Sequence, residues 1–394
     1  MYKILNDYDV TLETLDSIAK KLETLQTTVI KKSCFLGFDG YVDSLYSLVQ
    51  SRMSAKKWTR MESMKSFGEL LISVAGSSAN IERVLKKKIF GGFAPNTCRA
   101  LNAFGVKIYL IAALGHPKFN EFHYQLPEVE SISISNPGQT LGLEFDDGKV
   151  MITDFTPILN IDWKALMDNV KLDKLIKIIE ASDIMGFGHW ALIPNLNDIW
   201  QHFLDELFPS IPNLKEKIFF VDIADIRKRS RQDLLDLIKI LQTIDQLIPV
   251  MLSANEQEAY FLSTVLDNVK TFTPYQENPT DYIDGGKRLN KEMNLSYLVI
   301  HSPHFATIST VEDHFWITEG FTSKPKFTVG AGDYFHSGTV LGLSCGLTPP
   351  ESILMGNALT AIFVRTGNSP NFNQLSQFIS RYMEFIDNDN PNFP

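Results

Sequence analysis

The feature that most constrains this chain is a series of short apolar runs separated by amphipathic helical stretches. "CFLGF" (34–38), "KIYLIAAL" (107–114), "DIMGF" (183–187), "KIFFVD" (217–222), "IPVML" (248–252) and "YLVIH" (297–301) are rich in Val, Ile, Leu and Phe, and too short for buried helices. Helical periodicity fills the intervals at 95–105, 163–181, 195–207, 229–242, 255–265 and 281–293. Strands that are apolar throughout are covered on both faces, so this alternation predicts a three-layer α/β/α fold around a mostly parallel sheet. "TLGLEF" (140–145) and "KVMITDF" (149–155) flank "DDG" as a hairpin. "FATIST" and "HFWITE" add two late strands, and three helices are expected between 333 and 387.

The flanks fit less well. Residues 1–30 read as an N-terminal helical extension, with one amphipathic helix over 9–29. Residues 51–90, mixed and basic, read as an irregular insertion, and 388–394 as a loosely held polar tail. The body, 31–387, is expected to be one domain. A net charge of −9 argues against a nucleic-acid partner. No run is long enough for a membrane span, and the acidic start "MYKILNDYDV" is unlike a signal peptide. Cys34, Cys98 and Cys345 are odd in number and lack zinc-site spacing, which suits reduced thiols in a cytoplasmic protein.

Chemistry-bearing residues gather after the strands, where open α/β sheets bind ligands. In "FTVGAGDYFHSG" (327–338), Gly330 and Gly332 allow a sharp turn and close approach to a ligand. The helix behind them offers free amides and its positive end to an anion such as phosphate. Asp333 would repel that anion. It makes sense as a general base that takes the proton of an attacking hydroxyl while the amides of 330–333, Ala331 included, stabilise the moving phosphoryl group. The alternative is that Asp333 only caps the helix. Elsewhere, Gly91 and Gly92 make a tight turn before a helix that carries Asn96. Asn255 and Glu258 share one face of a helix's first turn, and Arg227 suits a phosphate, an acidic sugar or a surface ion pair.

The stretch "TVGAGDYFHSG" resembles the C-terminal signature of the ribokinase-like (PfkB) carbohydrate kinases. "FGGFAPNTCRALNAFG" (90–105) resembles their N-terminal signature, and "SANEQE" (253–258) their N-x-x-E motif. The resemblance implies a sugar kinase with Asp333 as base and the 330–333 amides as anion hole. It implies Gly91, Gly92 and Asn96, with Asp39 or Asp43 of "GFDGYVDSL", as sugar ligands. It implies Mg²⁺ organised through water by Asn255 and Glu258, with ATP as co-substrate. "FFVDIADIRKR" is similar to the family's D-x-N-x-R and carries Arg227. "GNALTAIFVRTG" is similar to the helix beside the adenine and carries Asn357. By position alone, His301 and Ser302 of "HSPHFA" fall beside the nucleotide. A small β lid near 40–50 and 138–155 and a homodimer through it are also implied. Phe327, Thr328 and Val329 stand where the family has Asp-Thr-Thr, and a phenyl ring is no oxygen ligand, so no monovalent cation is carried over. A catalytically silent sugar sensor, a kinase for a nucleoside or other non-sugar alcohol, and an ADP-dependent donor remain open.

Overall fold

A computed structural model describes residues 9–266 and 279–393. Its strands, in chain order, are β1 (Ser33–Gly37), β2 (Tyr41–Arg52), β3 (Trp58–Arg60), β4 (Arg83–Gly91), β5 (Lys107–Ala112), β6 (Glu130–Ser133) and β7 (Gly138–Glu144). They continue with β8 (Lys149–Asp154), β9 (Ile184–Phe187), β10 (Ile218–Asp222), β11 (Val250–Asn255), β12 (Tyr297–His301), β13 (Phe305–Ser309) and β14 (His314–Thr318). Nine of them form the main sheet, in the order β14-β13-β12-β11-β10-β9-β1-β5-β6. It is parallel except at β12–β13–β14, where both pairings are antiparallel.

Side chains alternate across this sheet and feed two cores. On β10, Phe219 and Val221 pack into one core, while Ile218 and Phe220 pack into the other. The first core receives the helices between 156 and 293, and the second those between 331 and 387 together with helix Phe93–Asn102. Both faces of the sheet are thus covered, as the apolar runs imply. Among the described residues no helix is long and apolar enough to cross a membrane.

The second sheet is built on β2. Its first half pairs with β4 antiparallel and β7 parallel, its far end pairs with β3, and β7 forms the expected hairpin with β8. Residues 51–90 are therefore ordered sheet and helix: β3, helix Met64–Ser73 and β4 lie there. The expectation of an irregular insertion fails because β4, "RVLKKKIFG", buries only its last two residues and lacks an apolar run.

The described segments near both ends are tied to the body. The single helix expected over 9–29 is two, Asp9–Ala19 and Leu22–Val29. Ile18, Leu25 and Val29 are buried in the second core, and Lys21 and Ser17 each reach the Glu351 carboxylate at 2.6 Å. The tail is held too: Arg365 Nε donates to the Asn390 carbonyl at 2.8 Å, and Phe393 packs 5.5 Å from Phe378, centroid to centroid. Residues 333–387 hold four helices rather than three: Ala331–Ser344, Pro349–Thr366, Phe372–Ser380 and Tyr382–Asp387.

The first two of these cross almost backbone to backbone. A Cβ on Gly338 would lie 2.8 Å from the Gly356 Cα, and one on Gly356 would lie 2.6 Å from the Phe335 carbonyl oxygen. A methyl group there must push two buried helices apart, which typically costs about 1–3 kcal/mol. Gly338→Ala is therefore expected to lower the thermal unfolding midpoint by several degrees; a midpoint equal to that of the parent protein would refute this crossing.

Candidate active site

Gly330 adopts φ +89°, a left-handed conformation that glycine takes freely, and begins helix Ala331–Ser344 as its N-cap. Asp333 thus sits in the first turn. Its carboxylate is not spent on capping: Oδ2 accepts from Asn96 Nδ2 at 2.7 Å, and Oδ1 lies 3.4 Å from His336 Nε2. Arg99 orients the amide by donating to Asn96 Oδ1 at 2.9 Å, so Asn96 has a fixed donor for Asp333. Asn96, expected as a sugar ligand, is therefore joined to the proposed base.

Two carboxylates press on the paired glycines. Asp39 is fully buried and accepts from the Phe93 and Ala94 amides at 2.9 and 2.8 Å, holding the start of helix Phe93–Asn102. Gly92, at φ +108°, leaves room for it: a Cβ there would lie 2.8 Å from Asp39 Oδ2. A Cβ on Gly91 would lie equally close, at 2.8 Å, to Asp43 Oδ2. Asp43, on β2 opposite Thr140 of β7, keeps some exposure. Burial pushes its carboxyl up, against a hydrogen bond from Thr140. Of the two acids proposed for sugar, Asp39 is committed to the protein interior and Asp43 retains open surface.

Asn255 and Glu258 form a reciprocal capping box on helix Glu256–Val265. Asn255 Oδ1 accepts from the Gln257 and Glu258 amides at 3.0 Å, and Glu258 Oε2 accepts from the Asn255 amide at 2.8 Å. Burial, and then the nearby Asp222 charge, raise the Glu258 carboxyl to about 8. Arg227 is paired with Asp225 through two contacts of 2.7 and 2.8 Å and is more than half exposed, which matches the surface ion pair. His301, at the end of β12, lies against Phe335, and burial followed by the proximity of His336 lowers it to about 3. The Ser302 hydroxyl is engaged within the β12–β13 turn, on the His304 and Phe305 main chain. Asn357 is fully buried, and with its amide turned to donate it reaches Glu319 Oε1 at 2.6 Å. It touches the large cavity only through Glu319.

Two cavities meet here. The larger, about 640 Å³, is lined mainly by apolar groups of 319–325 and 360–364, together with Ser302, Ala331 and Glu319. The smaller, about 310 Å³, is lined by acids Asp222, Asp225, Glu258 and Asp333 with His189, Gly330 and Gly332. Asn255, His301 and Gly332 line both. Phe327, standing at the expected cation position, packs on Gly367, where a Cβ would come within 2.4 Å of its ring.

Sequence reasoning passed over His189 and His336. His189 Nδ1 lies 2.7 Å from Asp39 Oδ2; burial pulls the imidazole down, but Asp39 outweighs this, and the ring is raised to about 10. It therefore carries positive charge into the small cavity at neutral pH. His336 stood in the quoted stretch "FTVGAGDYFHSG" and His189 just beyond "DIMGF", but only the fold sets them against carboxylates. Arg99 was visible only as one more residue of a helix.

The model of the prokaryotic ketohexokinase family matches residues 10–382. A ketohexokinase of Haloferax volcanii is 27% identical over 369 residues, covering 93% of this chain and 95% of its own. Among solved structures, the ribokinase of Cryptococcus neoformans in complex with ADP superposes with a TM-score of 0.61 at 12% identity, covering 88% of this chain and 98% of its own. The Arabidopsis thaliana ribokinase complexed with ribose and ATP gives 0.59 at 13%, covering 88% and 98%. A carbohydrate kinase of Agrobacterium tumefaciens gives 0.58 at 17%, covering 89% and 97%. The ribokinase fold is thereby established, and the chain belongs to the prokaryotic ketohexokinase family, a family of ribokinase-like sugar kinases that phosphorylate an alcohol group.

Proposed function

We propose that this protein transfers the terminal phosphate of ATP to a hydroxyl of a ketohexose. The observation that supports this most is the position of Asp333, in the first turn of a helix that begins where two cavities share a wall. The large cavity has the size and apolar lining for a nucleotide base and ribose. Its phosphates would run toward Gly332 and the helix start, where first-turn amides and the helix dipole favour negative charge. The sugar would approach from the side of the second sheet, with Asp43 as its partly exposed acid and that sheet as a lid that excludes water. Asp333 would take the hydroxyl proton as the oxygen attacks, and Asn96 would hold the carboxylate in place. His189, cationic and in the small cavity, would draw the phosphoryl group or a sugar oxygen inward. Outer residues of the second sheet, Leu85, Met151 and Ile152, are exposed and offer the surface through which two copies would pair.

The donors present suit Mg²⁺. Asp225 and Glu258 bring hard carboxylate oxygens to the small cavity, and Asn255 orients Glu258. Among the described residues no group of three His, Cys, Asp or Glu could hold a metal alone, so the ion would be shared with the nucleotide and keep several waters. Bound there, it would offset the negative charge of the phosphates.

Two outcomes test this reading. Asp333→Asn should lower turnover by about 10²- to 10⁴-fold with nucleotide binding retained, as read by steady-state rates and calorimetry. Near-normal turnover would remove the base. Assays with ketohexoses, aldohexoses and nucleosides, each with ATP and with ADP, would identify acceptor and donor. Glu258 gives the second outcome. Its folded value, about 8 against an ordinary 4.5, makes it protonated at pH 7 in the free protein. It therefore contributes stability that is full below 4.5 and lost as pH rises through about 8. A cation beside it reverses the preference, so binding of Mg²⁺ with nucleotide should release a proton at pH 7. Calorimetry in buffers of differing ionisation enthalpy would detect this, and Glu258→Gln should abolish it.

A further inference from the structure

Glu319 follows β14 and lines the large cavity, yet it is only 5% exposed. Other polar side chains of that wall are engaged within the protein. The Thr360 hydroxyl donates to the Ala331 carbonyl, Thr322 accepts from the Lys324 amide, and Ser323 bonds to Asp389. One Glu319 oxygen is also held: Asn357 Nδ2, turned to donate, reaches Oε1 at 2.6 Å. The other is free. Among the described residues no donor reaches Oε2, yet that oxygen is not sealed in the interior, and the surface it keeps opens on the cavity. No cation pairs with it among the described residues. Arg365 spends its guanidinium on the Asn390, Ala361 and Phe321 carbonyls, and the Tyr382 hydroxyl donates to the Thr318 carbonyl. Burial therefore dominates and holds the Glu319 carboxyl well above the ordinary carboxylate range, against the Arg365 charge. A neutral carboxyl has one O–H donor beside one carbonyl acceptor. Because Asn357 presents a donor to Oε1, the proton belongs on Oε2, at the cavity.

We propose that Glu319 selects the nucleotide base, with Asn357 fixing its orientation, and that the base it favours is adenine. This rests on the reading of the large cavity as the nucleotide site. With the phosphates at Gly332, the base falls at the opposite end, between 319–325 and 360–364. An apolar wall there supplies contact area but little choice between bases; choice comes from a polar group that the wrong base leaves unpaired. Adenine carries a ring-nitrogen acceptor next to its amino donor. Oε2–H donates to that nitrogen, and the second lone pair of Oε1 accepts from the amino group. In the same pose guanine places its O6 where the amino group was, against Oε1. Two acceptors then face each other in an apolar cavity, where neither finds water in exchange.

Calorimetric binding of ADP and of GDP, each with Mg²⁺ and without sugar, tests this independently of turnover. The parent protein should bind ADP about tenfold or more tightly than GDP. Glu319→Leu should weaken ADP by about tenfold or more, change GDP by about twofold at most, and so erase the preference. Glu319→Gln keeps a donor beside an acceptor and should retain it. In steady state with ATP, Glu319→Leu should raise KM for the nucleotide and spare both kcat and KM for the sugar. A purely structural Glu319 would weaken both nucleotides alike, and that result overturns the proposal. So does equal binding of ADP and GDP by the parent protein, a measurement that needs no variant to fold. Val364→Trp separates the two readings, because its side chain would fill the same end of the cavity. If this variant binds ADP as the parent does, the cavity is not the nucleotide site and both readings fall. If it blocks ADP while Glu319→Leu leaves the preference intact, only the base-selecting role is lost.

Discussion

One buried carboxylate holds the site together. Asp39 follows β1, accepts two amides at the start of helix Phe93–Asn102, and faces the His189 imidazole. A charge removed from water must be compensated on every side, and removing one partner of such a pair typically costs about 3–5 kcal/mol. Asp39 thereby fixes the first strand, the glycine turn and the loop after β9 in one arrangement. Helix Phe93–Asn102 then carries Asn96 and Arg99 to Asp333. Each link is short and directional, so the position of the proposed base depends on a fully buried acid.

The small cavity is an electrostatic compromise. Four acids line it, and phosphates would add further negative charge. His189 is held cationic by Asp39, whereas His301 is held neutral by burial and by His336. Asp222 and Glu258 are both pushed up, first by burial, which suits a site that gives up protons when a metal and its phosphates arrive. On the proposed reading, the residues that would recognise ligand and those that tune charge are the same few side chains.

Much of the frame was legible in the sequence because burial on two faces leaves an unmistakable apolar run. "KIFFVD" and "YLVIH" could hardly be anything but central strands. β4 was not legible: its Lys86 and Lys87 are exposed and its Lys88 half-buried, so it carries no apolar run. The glycine–aspartate turn was legible since both its backbone and its chemistry are local. The division of labour between Asp39 and Asp43 was not, because it depends on which acid the paired glycines admit to the interior. His189 and His336 escaped notice for a related reason. A histidine next to a strand end carries no signal until the fold brings a carboxylate within 4 Å. Asn255 and Glu258 cap a helix, and on the proposed reading the same motif would also serve the site.

The shared wall of Asn255, His301 and Gly332 has an evolutionary corollary. On the proposed reading, the donor compartment belongs to the main sheet and its C-terminal helices, while the acceptor side belongs to a separate small sheet joined to it through β2. Mutations can remodel one compartment and leave the other intact. Lineages built this way can acquire new acceptors by drift in the smaller sheet while inheriting the phosphate-handling machinery unaltered.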